Sequence, residues 1–111
     1  MQRLAEKLAS GAFVVTAEVD PPRGVHTAPL AEGARTLVGL VDAVNVTDCP
    51  RANVRMSSIA AAYLIERAVG LETIFHLTCR DRNAIGLQAD LLGAAALGLR
   101  NLLVLAGDPP P

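Results

Sequence analysis

Four short apolar segments recur along this chain about every thirty residues, and the stretches between them carry helical spacing. The segments are Phe13 to Val19, Asp42 to Val46, Glu72 to Leu77, and the run of Leu102, Leu103, Val104 and Leu105 that opens at Asn101. They are rich in Val, Ile and Leu without clean alternation, the pattern of strands covered on both faces in a parallel sheet. Between them, apolar residues fall at helical intervals: Leu30, Ala34, Leu37 and Val38; Ile59, Ala62, Tyr63 and Ile65; Ile85, Leu87, Leu91, Leu92 and Ala95. Strand and helix alternating at this length is a βα repeat.

The punctuation agrees. Thr27 ahead of Pro29, and Ser57 ahead of an apolar run, are helix starts, while Gly70 and Gly98 stand where helices end. Right-handed crossovers then lay the four strands side by side in chain order. At 111 residues and 51% hydrophobic, the chain has material for one core. Its net charge of -1 creates no basic field that would draw nucleic acid or a membrane surface. Met1 to Ser10 reads as a short amphipathic helix without the apolar centre of a signal peptide, and no run reaches the ~18 apolar residues of a membrane span. A cytoplasmic location is expected. Cys49 and Cys79 are then expected to be reduced thiols, and with His76 they do not make a metal-binding set.

In a parallel α/β sheet every strand delivers its last side chains to one rim, where chemistry gathers. This chain loads that rim four times. The strands end in Glu18-Val19-Asp20-Pro21-Pro22-Arg23, Asn45-Val46-Thr47-Asp48-Cys49-Pro50, His76-Leu77-Thr78-Cys79-Arg80-Asp81 and Gly107-Asp108-Pro109-Pro110. The strand starts, Gly11-Ala12, Leu40-Val41, Gly70-Leu71 and Leu99-Arg100, offer less. Glu18 lies in an otherwise apolar strand, where an unpaired carboxylate is costly to bury; it reads as functional ahead of a structural pairing with an arginine. Asp20 before two prolines reads as turn chemistry, and His26 as a solvated loop residue. Asp108 is open between a turn role and a ligand role, with Gly107 beside it allowing close backbone approach. His76 is either a satisfied core histidine or, on the rim with Thr47 and Asp108, a hydrogen-bonding partner for a planar ligand. Asn45 and Thr47 should share one face and Val46 the other. Arg51, Arg55, Arg80 and Arg82 suit an anion, although loop arginines commonly bind none. Neither common nucleotide-binding glycine fingerprint is present.

Taken together, Glu18-x-x-Pro21-Pro22-Arg23, Val44-Asn45-Val46-Thr47, His76-Leu77-Thr78-Cys79 and Leu105-Ala106-Gly107-Asp108-Pro109-Pro110 resemble the methylenetetrahydrofolate reductase family, in order and over nearly the whole chain. The stretches Asp42 to Met56 and Cys79 to Gln88 look most like the reductase module of bifunctional homocysteine S-methyltransferase/methylenetetrahydrofolate reductase proteins, without the methyltransferase module. The resemblance implies an α/β fold, the first four units of a TIM (β/α)8 barrel, with residues 1–111 forming a single partial domain. It implies FAD lying across the rim, NAD(P)H as electron donor, and reduction of 5,10-methylenetetrahydrofolate to 5-methyltetrahydrofolate. By motif, Glu18 resembles the general acid that assists opening of the folate ring, and a carboxyl held among apolar neighbours keeps its proton more readily. Asp108 resembles the acid beside the flavin ring, Thr47 and His76 resemble flavin contacts, and the backbone of Leu105, Ala106 and Gly107 would lie along the cofactor. Such a barrel needs about 250 residues. The chain is therefore expected to be an amino-terminal half, inactive alone, completed by the remainder of a longer chain or by a second copy. The alternatives are a self-associating, non-enzymatic half-barrel and an open flavodoxin-like sheet binding a small ligand.

Overall fold

The computed structural model describes residues 3–110. The elements run α1 (Leu4–Ala9), β1 (Thr16–Val19), α2 (Ala28–Arg35), β2 (Ala43–Val46), a 3-10 turn (Pro50–Ala52), α3 (Ser58–Val69), β3 (Thr73–Thr78), α4 (Ala84–Ala96) and β4 (Asn101–Leu105). All adjacent strands pair parallel, in the order β1-β2-β3-β4.

Leu30 and Ala34 from α2, Ala61, Ala62 and Ile65 from α3, and Ala94 from α4 pack with Val46, Phe75 and Leu77 in one core. The three helices therefore cover the same sheet face, which is barrel winding; a doubly wound sheet alternates faces and reorders its strands. The flavodoxin-like alternative fails on both counts. The architecture is that of the first four units of a TIM barrel. Strand alternation sends Thr16, Glu18, Asn45, Thr47, His76 and Thr78 to the opposite face, the side that lines a barrel interior.

Helix ends follow local chemistry. Ser57 Oγ accepts from the Ala60 amide at 3.5 Å, and Gly70, at φ +77°, closes α3 with its amide donating to Glu66 O. One residue on, the buried Ser58 hydroxyl donates to the His76 carbonyl at 2.7 Å, fastening α3 to β3. Asn83 Oδ1 accepts from the Gly86 amide at 2.7 Å, starting α4 with a cap that the apolar spacing did not reveal.

Two strands differ from expectation. β1 begins at Thr16, not Phe13, whose side chain is 91% exposed. Its upstream segment is tied to the Asp42 carboxylate, which accepts from the Val15 amide at 2.8 Å, so a side chain replaces part of the ladder. β4 forms where expected but is not covered on both faces: Val104 is 75% exposed, and α4 buries only Ala94. An edge strand has a neighbour on one side only, and the apolar run was read as though it had two.

The strand-start rim is also less bland than its loops suggested. Leu4 N donates to Glu72 Oε1 at 2.9 Å and Lys7 pairs with Asp42 at 2.7 Å, holding α1 beneath the sheet. Glu72 Oε2 accepts from Asn101 Nδ2 at 2.6 Å, and Glu66 Oε2 accepts from the Thr73 amide and hydroxyl at 3.0 and 2.6 Å. A cavity of about 780 Å³ opens there. Its three carboxylates are all engaged in holding elements together.

Candidate functional site at the strand carboxyl ends

Glu18, Thr47, His76, Leu105, Gly107 and Asp108 line one cavity of about 310 Å³ at the strand ends, joined by Asp48, Arg51, Thr78 and Arg80. Its volume lies at the lower end of small-molecule sites. Every strand contributes. Ala106 stands between two lining residues with its side chain exposed.

The floor is a polar relay across three strands. Asn45 is the register partner of Glu18; its Nδ2 donates to Thr16 Oγ1 at 2.9 Å and its Oδ1 lies 3.1 Å from His76 Nε2. Asn45 and Thr47 thus share a face, with Val46 in the core behind them. His76 is buried, which pushes its imidazole below the usual range, while the charges of Glu18 and Asp48 pull the other way without prevailing. Burial therefore favours the neutral ring. The ring is at once buried, hydrogen-bonded to Asn45 and part of the cavity lining, so it has features of both sequence readings.

Glu18 differs from expectation in its surroundings. The residue is exposed, not enclosed by apolar neighbours, because β1 is an edge and the interior face is open above it. Thr47 Oγ1 donates to Asp20 Oδ1 at 2.7 Å, so Asp20 fixes a rim hydroxyl in addition to preceding the Pro21-Pro22 turn. Asp108 accepts from the Arg51 amide at 2.7 Å. That amide is aimed by a loop in which Cys49, Arg51 and Ala52 all take positive φ, a concentration of backbone strain that segments near functional sites carry.

Gly107 has φ +87°, and a Cβ built there would lie 3.2 Å from Thr78 Cβ and Cγ2 and 3.3 Å from Arg80 Cβ. It makes a close approach to the end of β3, apart from the approach to a ligand that the sequence suggested. The glycine lets β4 turn across the end of β3 and deliver Asp108.

The rim arginines are mostly spent. Arg55 donates to Pro21 O at 2.8 Å, and Arg80 pairs with Asp81 at 2.7 Å while donating to the carbonyls of Asp108 and Cys49. Arg82 bridges Asp48 at 2.6 Å and Asp90 at 2.8 Å, and donates to Thr78 O. Sequence reading missed Asp48, whose buried carboxylate also accepts from the Thr78 amide at 2.8 Å. Burial pushes its carboxyl up, but the Arg82 guanidinium and the Thr78 amide outweigh burial and hold it below the usual value. Its signal was Asp48 with Arg82 at the ends of adjacent strands. Together these bonds lock the loops after β2, β3 and β4 into one rigid wall.

Comparison with protein families matches the methylenetetrahydrofolate reductase family over residues 3–111. A Caenorhabditis elegans protein described as a probable methylenetetrahydrofolate reductase (NADPH) is 32% identical over 102 residues, covering 85% of this chain and 15% of that protein. The chain thus spans about 15% of the length of that relative. Four parallel strands joined by three helices, a polar rim fed by every strand, and a match running from the first described residue onward lead to one conclusion: the chain belongs to the methylenetetrahydrofolate reductase family.

Proposed function

We propose that the chain supplies the amino-terminal half of a flavin site for reduction of 5,10-methylenetetrahydrofolate to 5-methyltetrahydrofolate. The convergence of Glu18, His76 and Asp108 from three strands on one cavity carries this reading. The residues present fit a flavin: an imidazole, a hydroxyl fixed by Asp20, a carboxylate on the Asp108 turn and the exposed residues Leu105 and Ala106 beside it form a surface suited to a planar polar ring. FAD, reduced by NAD(P)H, would supply the hydride.

The chain's own groups then have distinct tasks. Thr47, His76 and the Leu105-Ala106-Gly107 backbone orient the cofactor, and Asp108 sets the charge beside it. Glu18 gives a proton to the substrate as its bridging ring opens. Because Glu18 is open to water in this structure, a ligand settling over β1 would expel water from around it. The unpaired edges of β1 and β4 favour completion by further βα units, in the same polypeptide or a second copy.

Flavin retention tests the reading. The chain mixed with excess FAD and desalted is expected to elute with bound flavin absorbance, and Gly107→Ala to lose most of it. The variant is strained at φ +87°, and its Cβ crowds Thr78 and Arg80, which displaces the turn that carries Asp108, at a cost of about 1–3 kcal/mol. A colourless eluate from folded wild-type chain would remove the cofactor assignment.

A further inference from the structure

We propose that Asn45 is a positioning residue that holds His76 as the Nε2–H tautomer, so that the imidazole offers the site a hydrogen-bond acceptor at Nδ1. Asn45 is anchored from the other side: its Nδ2 donates to Thr16 Oγ1 at 2.9 Å, which turns its Oδ1 toward the ring. A carbonyl oxygen only accepts, so at 3.1 Å the partner nitrogen His76 Nε2 must carry the proton. Nδ1 of a neutral ring is then the nitrogen with the lone pair, and it makes no hydrogen bond among the described residues. The His76 carbonyl is held separately by Ser58 Oγ at 2.7 Å, which fixes the backbone from which the ring projects.

The charged groups around this ring are Glu18 from β1, Asp48 beyond β2, Arg80 beyond β3, Arg51 in the loop after β2 and Asp108 beyond β4. Arg80 is paired with Asp81, Asp48 with Arg82, and Asp108 with the Arg51 amide. The neutral Asn45 amide is the direct partner that decides which nitrogen is protonated. A ligand group placed against His76 Nδ1 must therefore be a donor, an N–H or O–H; an acceptor there meets a lone pair. The inference rests on the flavin reading only for what that donor belongs to.

The test needs no ligand. In chain labelled with 15N-histidine, and with His26→Gln to assign the two rings, two-bond proton–nitrogen spectra at pH 7.5 should show His76 with widely separated ring nitrogens in the Nε2–H pattern. Asn45→Leu removes the acceptor at similar volume, and the two resonances should draw together as the Nδ1–H form becomes populated. Asn45→Asp keeps an acceptor in place and adds charge, so it should restore the single tautomer and raise the His76 pKa by about one unit or more. An Nδ1–H pattern in the wild type, an unchanged separation in folded Asn45→Leu, or an unmoved pKa in Asn45→Asp would each overturn the proposal. Should Asn45→Leu not fold, the wild-type pattern and the Asn45→Asp titration decide it. A tautomer lock that holds in a chain unable to retain FAD would leave this inference standing and remove the flavin reading.

Discussion

In the completed barrel, Glu18→Gln is expected to slow reduction of 5,10-methylenetetrahydrofolate by about 10²–10⁴-fold, the usual worth of a positioned general acid, while flavin retention stays within a factor of a few. The amide keeps the size and hydrogen-bonding shape of the carboxyl but has no proton to give at neutral pH. Glu18 touches neither the core nor the loop-locking network, so its loss should not move the fold: it is exposed and accepts no hydrogen bond among the described residues. The discriminating readout is the split between steps. Oxidation of NAD(P)H by bound flavin should survive, and only the folate half-reaction should fall. Equal loss of both would place Glu18 in cofactor binding and not in proton transfer.

Arg82→Ala is expected to destabilise the chain by about 3–5 kcal/mol, because it leaves a buried carboxylate without its cation. Asp48 has a side chain only 5% exposed and would keep only the Thr78 amide as a partner, while Asp90 would lose its bond as well. Urea unfolding monitored by circular dichroism measures this directly, and a change below about 1 kcal/mol would show that the bridge is not a clamp.

Acid follows the same chemistry. Folding depresses the Asp48 carboxyl below its ordinary 3.8 and the His76 imidazole below its ordinary 6.5. A depressed folded pKa means that the unfolded chain binds protons first, so each group's contribution is complete above its unfolded value and is lost as pH falls through the folded one. Stability should therefore be level above about pH 6.5 and begin to decline below it through His76. The Asp48 share should go last, below pH 3.8, together with that of Asp42, whose carboxyl is lowered by Lys7 and the Val15 amide, and Asp48→Asn should shrink that final step.

Spacing alone carried the element order, the parallel pairing and the rim, because βα repeats fix all three once strands and helices are told apart. It could not carry burial. The Leu102 to Leu105 run looks identical whether one neighbour covers it or two, and Glu18 looks enclosed until β1 proves to be an edge. Pairing between distant side chains was equally hidden. Asp48 and Arg82 lie 34 residues apart, and Lys7 and Asp42 lie 35 apart, with nothing local to join them. Gly107 was legible as a close-approach glycine, but its packing against Thr78 was not, since its φ of +87° and the space beside it are properties of the folded sheet.

The central claim is that the strand carboxyl ends, and not the larger cavity beneath α1, receive the flavin. Titrating uniformly 15N-labelled chain with FAD separates the two. The account predicts that the amide resonances of Thr47, His76, Gly107 and Asp108 move together along one binding curve. Movement confined to Gly39, Gly70 and Gly98 around the opposite cavity, or no movement at all in a folded chain, would contradict it.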